Sequence, residues 1–254
     1  MKRRRASGRR WEADRPVRLQ KYVASCGWCS RRHAELLIQA GLVLVNGAPA
    51  ELGSSVKTGE DVVTINGDVV EPQPVHVLAL HKPSGFITAT NDTHERLTVI
   101  DLLPRALVHA GVLPVGRLDL DTSGLLVLTN DGDLAHRIAH PSFSCSKTYV
   151  AVVEGALEER AAERLSRGVD LDDGKTQPAR VRILGHGHGW TRLELVLTEG
   201  RKRQVRRMCE AVGHPVRVLV RVGIADVALG ELPVGAWREL SPDEIASLRG
   251  RRAR

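Results

Sequence analysis

The sequence predicts an α+β protein in two parts, a small basic module followed by a larger domain. Two helical patterns and two Asn-Gly turns occupy residues 16–71, and alternating apolar stretches typical of strands recur through residues 77–246. A Pro-rich linker at 72–76 separates the two regions. Basic tails, predicted to be disordered, complete the chain at residues 1–15 and 247–254.

The composition favours a polyanionic partner. The 254 residues carry a formal net charge of +7, and the sequence pI is near 9.6. A positive net charge favours binding to a polyanion such as nucleic acid over binding to a cationic partner. The basic tails would contact phosphate without reading bases, although a purely solubilising role fits them equally well. No apolar run is long enough to cross a bilayer, and none follows the basic start, so we expect a cytoplasmic protein.

The cysteines and histidines predict no metal site. Cys26 and Cys29 form a Cys-x-x-Cys pair, but no second close pair completes a zinc site, so reduced thiols are expected. His136 and His140 lie four residues apart without an acid to complete a ligand set, and helix-surface polarity explains them better.

The first module has a clear order of elements. Residues 17–25 repeat apolar side chains at helical spacing, and Ser30 is positioned to cap a second helix. Arg31 and Arg32 then fall in the first helical turn, where the helix dipole disfavours positive charge, which indicates an external anion. Alternating strands follow, each leading into an Asn-Gly turn.

This order resembles the S4 RNA-binding domain. Its characteristic segments are matched by Arg18-Leu19-Gln20-Lys21, by Ser30-Arg31-Arg32-His33-Ala34-Glu35 and by Val43-Leu44-Val45-Asn46-Gly47. The resemblance implies binding to structured RNA through shape and phosphates. The side chains implied as RNA contacts are Arg18, Lys21, Ser30, Arg31 and Arg32, although a merely solvated face is as consistent with the arginines.

The central stretch, residues 116–132, reads as a loop, a buried strand and a turn. Asp119 lies between two leucines, where a core meets a surface, so its carboxylate needs a cation, hydrogen bonds or a substrate to offset desolvation. Taken alone, Asp119 and Asp121 would be interpreted as turn residues beside a strand.

The same stretch resembles the active-site motif of bacterial pseudouridine synthases that modify ribosomal RNA. Every fixed position of Gly-Arg-Leu-Asp, Thr-Ser-Gly and Thr-Asn-Asp-Gly is met, which makes Asp119 the catalytic residue by resemblance. Asp-x-Asp also begins aspartyl-phosphate phosphatases, with Asp119 as nucleophile and Asp121 as acid. That interpretation is disfavoured, because Gly116 and Arg117 interrupt the approaching strand and Ser123 replaces the expected Thr or Val.

Other segments extend the resemblance. Lys82-Pro83-Ser84-Gly85 matches the family's first motif, where turn geometry is the favoured role. Lys147-Thr148-Tyr149 matches the motif whose Tyr packs beside the target uracil, with core packing as the other interpretation. Leu219 is a candidate wall of the uracil pocket, although ordinary core burial explains it better.

Residues 201–213 predict a helix with an apolar stripe and an arginine-rich side. Its spacing directs Arg203 and Arg207 towards solvent or RNA and places Arg206 nearer the edge of the apolar stripe, from where it can reach an interior carboxylate. Alone, the cluster would be a solvated basic face. The family's Glu-Gly-Arg-x-Arg-Gln-Val-Arg-Arg-Met motif implies instead that Arg206 pairs with the catalytic Asp119.

The resemblance implies an S4 domain followed by an α+β catalytic domain on a mixed, largely antiparallel sheet. The implied reaction isomerises a uridine of ribosomal RNA, or of a ribosomal subunit precursor, to pseudouridine with no cofactor. Asp119 would act as nucleophile at the ribose or as the base that removes a ribose proton. Tyr149 would stack on the uracil and assist proton removal from its C5, and Arg117 would fill the space of the extruded nucleotide.

Residues 165–174 resemble the large-subunit synthase B branch more than the small-subunit synthase A branch. A small-subunit synthase and a non-catalytic RNA-binding assembly factor are the alternatives. We expect a monomer.

Overall fold

The computed structural model of the chain describes residues 16–90, 92 and 96–250. The tail predicted at 1–15, and residues 251–254 of the second tail, lie outside this description. The chain forms two compact units. The first contains the residues up to His76 with Leu103–Leu113 and Thr129–Asp131, and the second contains Val77–Leu102, Pro114–Leu128 and the residues from Gly132 onward.

The first unit combines short helices with short hairpins. Its elements are β1 (Val17–Arg18), α1 (Leu19–Ser25), α2 (Arg31–Gln39), β2 (Val43–Val45), β3 (Ala48–Pro49), β4 (Ser55–Val56), β5 (Val63–Ile65), β6 (Asp68–Val69) and α3 (Arg105–His109). Both predicted Asn-Gly turns are confirmed, since Asn46 and Asn66 and the glycines after them have positive φ, as the tightest hairpins require.

Of the two helices predicted in this unit, one begins where it was predicted to begin and the other begins later. The Ser30 hydroxyl caps α2 as predicted, accepting a hydrogen bond from the His33 amide at 3.2 Å. The first helix begins at Leu19 rather than at Val17, because Val17 and Arg18 form β1 and pair with β4. Buried side chains of both helices form one core with those of the strands, and this core includes Leu19, Val23, Ala34, Ile38 and Val63.

The first unit includes two later segments, Leu103–Leu113 and Thr129–Asp131, which were predicted to belong to the second domain. Asn130, in the Thr-Asn-Asp-Gly turn, donates hydrogen bonds to the carbonyl oxygens of Pro74 (2.8 Å) and Ala110 (3.0 Å) and accepts one from the His76 amide at 2.8 Å. The predicted linker at 72–76 is therefore held by side-chain hydrogen bonds from a distant part of the chain.

The second unit is built on a long sheet with helices. Its elements are β7 (Val77–Lys82), β8 (Leu113–Pro114, which begins at the edge of the first unit), β9 (Ser123–Thr129), α4 (Gly132–Ala139), β10 (Lys147–Glu154), α5 (Glu159–Arg167), β11 (Asp170–Leu171), β12 (Gly174–Lys175), β13 (Arg180–Gly187), β14 (Trp190–Leu197), α6 (Gln204–Ala211), β15 (Val216–Ile224), β16 (Val227–Ala228), β17 (Trp237–Glu239) and α7 (Pro242–Leu248), with 3-10 turns at Val99–Leu102 and Pro141–Phe143.

The main sheet has the order β13-β14-β10-β15-β9-β7-β17. The pairs β13-β14, β14-β10, β10-β15 and β7-β17 are antiparallel, whereas β15 and β9 run parallel. The prediction of a mixed, largely antiparallel sheet is confirmed. None of the helices within the described residues combines the length and apolar character needed to cross a bilayer.

Two helices of this unit differ from expectation. Helix α6 begins at Gln204 instead of residue 201, because Arg203 adopts a left-handed conformation (φ 49°, ψ 34°) that a helix does not accommodate. Its apolar residues Val205, Met208 and Cys209 are buried as predicted. The basic tail was predicted to begin at residue 247, but helix α7 continues to Leu248, whose side chain is buried.

Candidate active site

The loop that carries Asp119 rests on a buried lysine. Lys82 ends β7 and is fully buried, and its ammonium donates hydrogen bonds to the carbonyl oxygens of Pro83 (2.9 Å), Asp119 (3.1 Å) and Thr122 (2.8 Å). Its three N–H groups thus meet three acceptors. Burial lowers the pKa of Lys82 to about 8, although the Asp119 and Asp121 charges oppose this shift.

Further hydrogen bonds hold the same loop. The Thr88 hydroxyl donates to the Leu118 carbonyl at 2.9 Å and accepts from the Leu118 amide at 3.2 Å, while the Gly85 amide donates to the Leu120 carbonyl at 2.8 Å. The segment predicted to serve turn geometry therefore also supports the loop through Lys82 and Gly85. Sequence reasoning missed this role of Lys82, and the available signal was a lysine at the end of an apolar strand.

The Asp119 side chain is half-buried at the surface of this loop. Across residues 16–90, 92 and 96–250, none of the hydrogen bonds or ion pairs involves its carboxylate. The backbone of Asp119 is held in place, while its carboxylate oxygens are available to a ligand.

Arg206 does not take the predicted partner. Its Nη2 lies 3.3 Å from the Asp121 carboxylate and donates to the Asp121 carbonyl at 2.8 Å, and Nη1 donates to the Val216 carbonyl at 3.3 Å. The predicted pairing with Asp119 is therefore wrong for this structure, because the turn directs Asp121 towards α6. Arg206 still reaches the motif loop from α6, as predicted.

Arg203, just before α6, is exposed and Arg207 on α6 is half-buried, and both also pair with carboxylates of the chain, which was not predicted. Arg203 donates two hydrogen bonds to Asp121, at 3.1 and 3.2 Å, and Arg207 donates two to Asp173, at 2.9 and 3.0 Å. Burial opposes ionisation of Asp121, but the hydrogen bonds from Arg203 and the charges of both neighbouring arginines lower its pKa overall.

Tyr149 lies on β10, half-buried beside the core of the second unit. Its cross-strand neighbour on β15 is Arg221, which in turn pairs with Gly124 on β9, the strand that follows the Asp119 loop. Two strand spacings, about 10 Å, therefore separate the backbones of Tyr149 and Gly124. Leu219 is buried in the core and pairs with Ala151, so its predicted contact with uracil stays a prediction.

The remaining candidate RNA contacts are distributed over both units. Arg117 is exposed beside Asp119 in the second unit. In the first unit Arg31 and Arg32 are exposed at the start of α2, Lys21 is half-buried, and Arg18 is exposed and donates to the Gly53 carbonyl. Their contact with RNA stays a prediction.

The cysteines and histidines, for which no metal site is predicted, have the following environments. All four cysteines are free thiols, and the rings of His136 and His140 are tilted by 36° to each other with centroids 4.9 Å apart. Within the described part of the chain, no group of three or more His, Cys, Asp or Glu side chains has the arrangement of a metal site.

Comparison with known proteins agrees with this geometry. The family described as RNA pseudouridylate synthase matches residues 76–211, and the S4 domain family matches residues 17–62. A ribosomal large subunit pseudouridine synthase B of Bacillus subtilis is 45% identical, over 91% of this chain and 95% of its own length. A dual-specificity RNA pseudouridine synthase of Escherichia coli strain K12 is 37% identical, over 92% of this chain and 79% of its own.

A solved pseudouridylate synthase structure is similar to the whole fold. It is 32% identical, superposes with a TM-score of 0.66, and the match covers 91% of this chain and 99% of that one. The motif loop, the sheet and the family matches lead to one conclusion: the chain belongs to the RNA pseudouridine synthases that carry an S4 domain.

Proposed function

We propose that the Asp119 carboxylate catalyses the conversion of a uridine in ribosomal RNA to pseudouridine. In this isomerisation the bond between ribose C1′ and uracil N1 breaks, the uracil turns, and C1′ bonds to C5. The proton on C5 leaves and N1 gains one, so substrate and product have the same composition. Asp119 acts either as nucleophile at C1′ or as the base that removes a ribose proton.

One observation carries this assignment. The Asp119 carboxylate has no hydrogen bond or ion pair within the described residues, yet its backbone is held by the fully buried Lys82. A carboxylate with no intramolecular partner to give up, on a backbone that folding already holds in place, favours catalysis because little has to rearrange when substrate binds.

Neighbouring side chains have supporting roles in this proposal. Arg206 holds the end of the loop through the Asp121 carbonyl, and its charge favours the ionised form of Asp121. Tyr149 stacks on the extruded base, with Leu219 behind it. Arg117, exposed next to Asp119, occupies the space that the uridine leaves in the RNA.

The proposed substrate is large-subunit ribosomal RNA, as the name of the Bacillus subtilis relative indicates for that protein. Residues 16–71 form the S4 domain in this proposal, and its exposed Arg31 and Arg32, with Arg18, Lys21 and Ser30, contact phosphates. Residues 77–246 form the catalytic domain, to which Arg203 and Arg207 add contacts through their exposed edges. The protein acts as a monomer in the cytoplasm.

The test uses purified full-length chain and transcripts of 23S and 16S ribosomal RNA labelled with tritium at uridine C5. We expect label release from 23S RNA, because C5 loses its hydrogen when it bonds to C1′. Release from 16S RNA alone would contradict the subunit assignment. Binding without release from either transcript would contradict catalysis and indicate an RNA-binding assembly factor.

A further inference from the structure

We propose that Arg203 forms a binding site for an RNA phosphodiester and that Asp121 occupies this site while no RNA is bound. The inference rests on the proposed function, since it takes RNA as the ligand. Two guanidinium groups converge on the Asp121 carboxylate: Arg203 donates to both oxygens at 3.1 and 3.2 Å, and Arg206 lies 3.3 Å from one of them.

The two arginines are anchored differently. The Arg206 side chain is 11% exposed and bonds to the Asp121 and Val216 carbonyls, so it keeps its position without the carboxylate. The Arg203 side chain is 44% exposed, and within the described residues its guanidinium donates to Asp121 only. An anion that replaces the carboxylate therefore acquires Arg203, while Arg206 continues to hold the loop.

The ion pair between Arg203 and Asp121 is weak enough for another anion to replace Asp121. The Asp121 side chain is 46% exposed, and exposed ion pairs stabilise only weakly, so a competing anion displaces this one at little cost. A phosphodiester offers two oxygens to the same guanidinium fork that the carboxylate now fills. The left-handed backbone of Arg203, uncommon for a residue other than glycine, holds this side chain beside the motif loop.

The closeness of Asp121 to Asp119 indicates that the ligand of Arg203 is an RNA phosphodiester. Asp121 is two residues from Asp119, which limits their Cα separation to about 7 Å. A ribose at the Asp119 carboxylate brings its flanking phosphates to this part of the loop. In that complex an unpaired Asp121 would repel the RNA, so the carboxylate both competes for Arg203 and opposes binding.

Replacing Asp121 with Asn should therefore tighten RNA binding. Loss of the competitor and of the repulsion predicts an increase in affinity of about three- to tenfold at low salt. Arg203→Gln should weaken binding. Its cost should be larger when Asp121→Asn is also present than when Asp121 is retained, because Arg203 then has no intramolecular partner to give up.

The experiment measures Kd for a 23S ribosomal RNA transcript by filter binding, from about 50 to about 300 mM KCl. All proteins are full-length and carry Asp119→Asn, which keeps the RNA unreacted. To this parent are added Asp121→Asn, Arg203→Gln, and both. Glu163→Gln is the matched control, because it releases Arg167 from an exposed ion pair with the same change in charge; we expect about a twofold effect or less.

Unchanged or weaker binding by Asp121→Asn, or no effect of Arg203→Gln in either background, would overturn the inference. Asp121→Ser repeats the test if the Asn variant does not fold, as judged by thermal unfolding. Because the parent is catalytically inactive, the result does not depend on turnover. Failure of the proposed function would appear separately, as absent tritium release by the chain that retains Asp119.

Discussion

The Lys82 ammonium donates a hydrogen bond to the carbonyl oxygen of Asp119 at 3.1 Å, from a fully buried position at the end of β7. A second bond, to the Thr122 carbonyl at 2.8 Å, holds the other end of the same turn. The turn that carries the Asp119 carboxylate is thus held at both ends by a buried ammonium that donates to its backbone carbonyls.

Lys82→Met should destabilise the protein and slow catalysis. The substitution removes the donor from three carbonyl groups, one buried (Thr122) and two partly buried, so we expect the free energy of unfolding to fall by about 2–4 kcal/mol, with at least about tenfold slower tritium release. Urea unfolding measures the first effect. Lys57→Met is the control, because its side chain is 52% exposed and, among the residues that the structure describes, its ammonium forms an ion pair with Glu60 alone; a loss within about 0.5 kcal/mol is expected. Equal losses in the two variants would refute the role of Lys82.

The lowered pKa of Lys82 predicts a dependence of stability on alkaline pH. Because its folded pKa of about 8 lies below the ordinary 10.5, the unfolded chain binds more protons between these values. The unfolding free energy of the wild type relative to Lys82→Met should therefore rise with pH, by about 2–3 kcal/mol between pH 7 and pH 10. Subtracting the Met variant removes the titration of other groups. A difference that stays flat or falls over this range would show that burial does not lower this pKa.

Gly124→Ala should break the contact between β9 and β15. A Cβ there would meet the backbone of Arg221, 2.6 Å from its amide nitrogen, at a φ of +110° that side chains rarely adopt. We expect a loss of at least about 3 kcal/mol or failure to fold. Gly174→Ala, at φ +96° with open space around it, isolates the backbone effect, for which about 1 kcal/mol is expected. Similar losses in urea unfolding would mean that the close strand approach is not essential.

Substitutions of Tyr149 separate stacking from proton transfer. Tyr149→Phe keeps the ring, so RNA affinity should be preserved, while loss of the hydroxyl slows single-turnover tritium release by about 100-fold if it assists removal of the C5 proton. Tyr149→Leu removes the ring as well and should also weaken binding. Wild-type affinity and rate in both variants would assign Tyr149 to core packing.

Features of the structure that depend on a few neighbouring residues were predictable from the sequence. The Ser30 cap, the two Asn-Gly turns and the strand around Tyr149 are set by local capping, left-handed turn residues and apolar alternation. The motif match also located the loop of Asp119 and its approach by Arg206.

Partners distant in sequence were not predictable in the same way. The helical pattern of residues 201–213 gave no sign that Arg203 would turn left-handed, nor that Asp121 rather than Asp119 would meet Arg206. The role of Lys82 depends on β7 ending beneath a loop 37 residues later. These pairings depend on tertiary packing, which the periodicity of apolar residues along the sequence does not encode.

Asp119→Asn tests the central claim most directly. The substitution keeps the size of the side chain and the backbone bond to Lys82 but removes the charge, so single-turnover tritium release from 23S ribosomal RNA should slow by at least about 1,000-fold. RNA affinity should stay within about threefold, and Glu163→Gln should release label at the wild-type rate. Release at a rate close to wild type by the Asn variant would contradict the account.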